Sequence, residues 1–180
     1  MVLTVNGKNY VVRCKYLYTD INFESENCAL PWESNLQMNV CHCVSAHVET
    51  PVDFAFARCC DPAALGRWTL GSMGFAPTDT PDVYRGVSLF DGSETFMQMA
   101  VHPDLWLIDF LVGTDDLREP RVSLRLTPGA LWGFGQTTCL FSMSTWRAAW
   151  MDDARWMRTC STHETEALLF KAQTEAAWTS

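Results

Sequence analysis

Apolar and polar positions alternate through the first dozen residues. Val2-Leu3-Thr4-Val5 and Lys8-Asn9-Tyr10-Val11-Val12 flank Asn6-Gly7, a pair that supplies the positive φ angles of a tight type I′ turn, so the pattern predicts a β-hairpin. A polar stretch, Thr19 to Asn27, and then Leu30-Pro31-Trp32 follow. Residues 1–38 therefore read as an N-terminal hairpin arm that packs on the domain or on a second subunit, and residues 39–180 as one ligand-binding domain.

In that domain, residues 40–50 (VCHCVSAHVET) predict a strand. Thr50-Pro51 then opens a helix, with Thr50 as cap and Pro51 in the first turn. That helix runs to Cys59, and Asp61-Pro62 starts a second short one ending near Trp68. Gly71, Gly74 and Pro77 mark a loop. Strands are predicted over 83–90, 95–102, 105–112, 121–127 and 137–145, with turns at Asp91-Gly92, Pro103-Asp104 and Pro128-Gly129 and a polar loop at 113–119. From about Arg147 to Ala177 the period becomes helical. Trp156, Cys160, His163, Ala167 and Phe170 recur at steps of four and three and share a face. Met157, Glu164 and Leu168 widen that face, while Asp152, Arg155, Glu166 and Lys171 are placed for solvent.

If the turns at 91–92 and 103–104 are two-residue turns, the register follows. Arg85, Gln98 and Asp109 then form a row across three strands, on a face shared with Glu94 and His102. Tyr84, Met97, Met99, Trp106 and Phe110 point to the other face. Two arrangements compete. Either the Met/aromatic face meets the helix and the polar row lies outside as cross-strand pairs, or the polar row lines a pocket. The greater apolarity of the Met/aromatic face favours the first. The polar row's face also carries Val87, Leu89, Phe96, Leu107 and Leu111, so it too calls for a cover, from the arm or another subunit.

The element order of strand, two short helices, antiparallel strands and long helix resembles the START/Bet v 1-like superfamily (SRPBCC, the polyketide cyclase/dehydrase and lipid-transport superfamily). The matching pieces are PVDFAFARCCDPAALGRW, the strands from VYRGVSLFDG to TTCLFSMS, and WMRTCSTHETEALLFKAQTEA, together spanning roughly residues 40–177. The resemblance implies an α+β helix-grip fold, a curved antiparallel sheet wrapped on a long C-terminal helix around an apolar pocket. It carries no universal catalytic residue, and fold alone does not give function.

Composition narrows the rest. A formal net charge of −8 with scattered Lys and Arg gives no basic stripe for nucleic acid. No apolar run is long enough for a membrane span, and the N-terminus lacks a signal-peptide layout, so a cytoplasmic protein is expected. Cys41-His42-Cys43 and Cys59-Cys60 are too closely spaced for a zinc knuckle, so the eight Cys read as buried free thiols and no metal is expected. No Gly-rich phosphate loop follows a strand and Gly-x-Ser-x-Gly is absent; no cofactor is expected. The candidate catalytic residues are His163, Asp109 and Arg85. His163 lies on the helix's apolar face with an ordinary pKa suited to proton transfer. The candidate ligand contacts are Trp68, Tyr84, Met97, Gln98, Met99, Trp106, Phe110, Arg125 and Phe141. Three functions fit: a cofactor-independent polyketide cyclase-like enzyme acting on a small aromatic or polycyclic hydrophobic molecule, a non-catalytic carrier of a hydrophobic small molecule, or an interaction protein that forms a homodimer through the arm or the sheet.

Overall fold

The structure is a computed structural model; it describes residues 2–5, 8–11 and 40–179. The chain divides into two compact units, 1–38 and 39–180. In the first, β1 (Val2–Val5) and β2 (Lys8–Val11) pair antiparallel with Val5 opposite Lys8, the register of the expected hairpin. The Asn6-Gly7 turn itself, the 19–27 stretch, Leu30-Pro31-Trp32 and the arm's packing lie outside the described residues.

The second unit is a 7-stranded antiparallel sheet and three helices. Strand β3 (Cys41–Val48) leads to helices α1 (Val52–Cys60) and α2 (Pro62–Trp68). Strands β4 (Ser72–Pro77), β5 (Val83–Ser88), β6 (Glu94–His102), β7 (Leu107–Gly113), β8 (Arg118–Pro128) and β9 (Cys139–Trp146) follow. The long helix α3 (Asp153–Thr179) closes the chain. The spatial order β3-β9-β8-β7-β6-β5-β4 makes every neighbour sequential except β3–β9, which brings the first strand of the unit beside its last.

Asp61 caps α2 by accepting a hydrogen bond from Ala63 N at 2.9 Å, with Pro62 in the first turn where its missing N–H costs nothing. For α1 the cap differs from expectation. Pro51 occupies the position without a side-chain hydrogen bond, and Thr50 is buried. The Gly71–Pro77 region is not a loop but the edge strand β4. A register break between Met73 and Ala76 accommodates Gly74 at φ +68°; an edge tolerates both the bulge and Pro77. Helix α3 starts at Asp153 rather than Arg147, because Asp152 Oδ1 accepts from Arg155 N at 2.6 Å and fixes the first turn there.

Both turns proved longer than two residues. Ser88 N donates to Ser93 O at 2.8 Å and Gly92 N to Ser88 O at 2.9 Å, so Val87 pairs with Glu94 and Arg85 with Phe96. Past β6 a short 3-10 turn, Pro103–Leu105, moves His102 opposite Leu107. Each change shifts pairing by an even number of residues. The face assignment therefore survives although the Arg85–Gln98–Asp109 row does not form: Gln98 pairs with Leu111, and Asp109 with Ala100.

The Met/aromatic face looks inward. Met97, Ile108, Phe110, Leu124, Leu126, Phe141 and Met143 pack with Leu65, Trp68, Ala167 and Phe170 in one core. Phe141 stacks on Phe170 at 4.5 Å between centroids, and Trp68 meets Phe170 edge-on at 5.3 Å. Burial of Trp156, Cys160, His163, Ala167 and Phe170 matches the predicted stripe. Its predicted flank does not. Met157 and Leu168 are exposed and Glu164 is on the surface, whereas Glu166, expected in solvent, is only 4% exposed. The thiols also divide. Cys59, Cys139 and Cys160 are buried, but Cys41 and Cys43 are exposed on edge strand β3, with their sulfurs 3.8 Å apart.

Candidate functional site

Between the sheet and α3 lies a cavity of about 560 Å³, within the range of roughly 300–1,000 Å³ usual for small-molecule sites. Its apolar wall is made by Trp68, Phe75, Met97, Phe110, Val122 and Met143. Gly86 keeps this wall in place. A Cβ there would stand 2.9 Å from Phe75 Cδ1, so a bare backbone lets Phe75 lie across β5.

Glu166 and His163, one helical turn apart on the inward stripe of α3, both border the cavity. Glu166 Oε1 accepts hydrogen bonds from Leu70 N at 2.5 Å and Gly71 N at 2.9 Å. Its other oxygen is 3.7 Å from His163 Nε2. Burial pushes the Glu166 carboxyl up from 4.5 to about 7, against the two backbone donors that favour the anion. Burial pulls His163 down from 6.5 to about 4, helped by electrostatic repulsion from His42 and Arg121. The contact is therefore a neutral imidazole beside a carboxyl that is close to half-protonated at neutral pH, not an ion pair.

Strand β8 carries a third polar group inward. Phe110 pairs with Val122 but Leu111 with Pro120, which leaves Arg121 as the extra residue of a bulge. Pro120 lacks the N–H that an uninterrupted central strand requires. The bulge turns Arg121 to the cavity, where burial lowers its pKa and Glu119 opposes this.

At the mouth, the segment before α3 presents Trp150 and Met151, and the β5–β6 loop presents Phe90 and Asp91. Arg155 joins the two sides. Its guanidinium lies 4.1 Å from the Phe90 ring centroid and 5.9 Å from that of Trp150, and bonds Asp91 Oδ2 at 3.2 Å. Ser93, through its hydroxyl and its N–H, and Ser88 hold the Asp91 carboxyl well below the usual carboxylate range.

Among the residues singled out from sequence, His163, Trp68, Met97 and Phe110 meet at this cavity. Arg85 and Asp109 do not. They stand on the outer face, paired with Glu94 at 3.3 Å and His102 at 3.8 Å, and Gln98 shares that face. Tyr84 and Met99 pack against the core from outside the cavity lining, and Phe141 is buried within the core. Trp106, left-handed at φ +46°, turns its indole away and donates to Asp53 Oδ1 at 2.8 Å. Arg125 is exposed.

The sheet order and the grip on a C-terminal helix recur in solved structures. A START superfamily protein from Mycobacterium smegmatis aligns with a TM-score of 0.56 at 14% identity, over 77% of this chain and 99% of that one. The chain has the START-like helix-grip fold. Other proteins with this START-like architecture include the Zhui aromatase/cyclase from Streptomyces sp. R1128, with a TM-score of 0.55 at 10% identity over 75% of this chain and 93% of that one. The di-domain ARO/CYC BexL from the BE-7585A biosynthetic pathway gives 0.55 at 14% identity, over 75% and 46% of the two chains. At such identities the START-like likeness is one of fold. No family model matches the sequence, and no curated protein matches it. Among the described residues no helix is long and apolar enough to cross a membrane.

Proposed function

We propose that this chain is a cofactor-independent enzyme of the polyketide cyclase type, taking a small aromatic or polycyclic hydrophobic molecule into the cavity between sheet and α3. The observation that carries this reading is the His163–Glu166 pair, buried side by side against the apolar wall of the cavity. A carrier needs only apolar walls, whereas two adjacent groups with pKa values pushed apart by burial suit general acid–base work. In its ionised form Glu166 takes a proton from a carbon activated by flanking carbonyls. That carbon attacks a second carbonyl of the same molecule, and the new alkoxide takes a proton from the newly protonated Glu166. The new hydroxyl and an adjacent C–H proton then leave as water, and enolisation of the remaining ring carbonyls gives the aromatic ring. His163, neutral at this pH, hydrogen-bonds the reacting oxygen, and the cavity walls hold the chain folded so that the reacting carbons meet. Arg85 and Asp109 take no part in this scheme. The aromatase/cyclase folds among the structural neighbours are compatible with it.

The test is product analysis by liquid chromatography and mass spectrometry of a linear poly-β-keto N-acetylcysteamine thioester incubated with wild type, Glu166→Gln and His163→Asn. A cyclised aromatic product, formed at least about 100-fold more slowly by Glu166→Gln, is expected. A wild-type product distribution identical to that in buffer contradicts the enzyme reading and leaves the hydrophobic carrier.

A further inference from the structure

Of the two arginines that border the cavity, Arg121 and Arg155, only Arg155 has a close carboxylate among the described residues. Arg155, Arg147 and Arg85 have Asp91, Asp153 and Glu94 at 3.2, 2.7 and 3.3 Å. Arg121 has no carboxylate within ion-pair distance among the described residues; the hydrogen bond it makes is to Met151 Sδ at 3.6 Å, a weak acceptor. Its charge is half-buried and Glu119 acts on it only from beyond ion-pair distance, a costly arrangement. The geometry nevertheless holds it there. The Pro120 bulge sets its backbone, Thr145 Oγ1 donates to its carbonyl at 3.0 Å, and its guanidinium lies 6.0 Å from the Trp150 ring centroid. Several of the five donors of its planar fork remain available to a molecule in the cavity.

We propose that Arg121 is the recognition group for a carboxylate carried by the otherwise apolar ligand of this cavity. The assignment rests on the reading that the cavity takes a ligand, and it specifies what that ligand bears. A carboxylate matches the guanidinium fork two-to-two. It also carries one negative charge, which matters because Asp91, Glu94, Glu119 and Glu166 border the same cavity and a doubly charged phosphate would meet their repulsion. A ligand carboxylate at Arg121 leaves the rest of the molecule against Met97, Phe110 and Met143, toward Glu166 and His163.

The experiment is calorimetric titration of wild type, Arg121→Met and Arg121→Lys with naphthalene-2-carboxylate and with its methyl ester. Wild type is expected to bind the acid about 10- to 100-fold more tightly than the ester, the range for a charge-assisted pair. Arg121→Met should lose that preference while keeping its affinity for the ester, which also shows that the variant is folded. Arg121→Lys, with the charge but not the fork, should retain part of it. Equal wild-type affinity for acid and ester, or a preference that survives in Arg121→Met, overturns the assignment while leaving the cavity reading intact. Failure of both probes to bind wild type overturns the cavity reading beneath it.

Discussion

Replacing Glu166 by Gln should change stability in a pH-dependent way whose sign follows from the site. The carboxyl ionises at about 7 in the folded chain and at an ordinary 4.5 when exposed. Its folded pKa is raised, so the folded state holds its proton where the unfolded state has released it. Stability from this group is fully present below 4.5 and is lost as pH rises to about 7. The difference corresponds to about 3 kcal/mol, without a discount for screening because the residue is only 4% exposed. Gln is neutral throughout and keeps an oxygen for Leu70 and Gly71 N–H. The variant should therefore match wild type within about 1 kcal/mol at pH 5 and exceed it by about 3 kcal/mol at pH 8. His163 works in the opposite direction. Its folded pKa is depressed from 6.5 to about 4, so its contribution is lost as pH falls through that window. In wild type the two slopes oppose each other between 4.5 and 6.5. In Glu166→Gln the His163 slope is no longer opposed by Glu166, and stability should climb by about 1 kcal/mol per pH unit there. Urea denaturation followed by tryptophan fluorescence at pH 5, 6, 7 and 8 measures this. An offset between variant and wild type that does not change with pH refutes the account of a buried, proton-holding Glu166.

Other substitutions separate core, site and surface. Phe170→Ala removes a fully buried ring stacked on Phe141 and should cost about 3–5 kcal/mol in the same denaturation assay. Arg85→Ala and Asp109→Asn break exposed pairs and should each stay within about 0.5–1 kcal/mol of wild type, with turnover unchanged in the product assay. Gly86→Ala pushes a methyl against Phe75 and should destabilise by about 1–3 kcal/mol, with weaker binding of apolar probes by calorimetry.

The fold was legible because burial imposes period. The step of three and four along α3 located Trp156, His163 and Phe170, and alternation on β6 and β7 identified Met97 and Phe110 as inward. What misled was residue type. Glu166 falls three residues after His163 and four before Phe170, on the same stripe, but its charge argued for solvent. The donors at Leu70 and Gly71 that make its burial tolerable come from a chain segment almost a hundred residues earlier, which no local pattern reveals. Met157 and Leu168 erred in the other direction, being apolar side chains on positions the sheet does not reach. The turns after Ser88 and His102 looked like two-residue turns because Asp-Gly and Pro-Asp favour tight bends, yet Ser93 and the Pro103–Leu105 turn extended them. Arg121 did leave a signal. Pro120 inside a central strand marks a bulge, and a bulge redirects the residue beside it.

The claim on which the rest depends is that an apolar molecule occupies the cavity next to His163 and Glu166. Methyl-labelled methionine spectra during titration with N-phenyl-1-naphthylamine test it directly. Met97, Met143 and Met151 border the cavity, whereas Met73 and Met157 are exposed and Met99 lies outside the lining. Saturable shifts of the Met97 and Met143 methyls, with Met73 and Met157 unmoved, are the predicted result. Shifts confined to Met73 or Met157, or no saturable shift at Met97 and Met143, would contradict it.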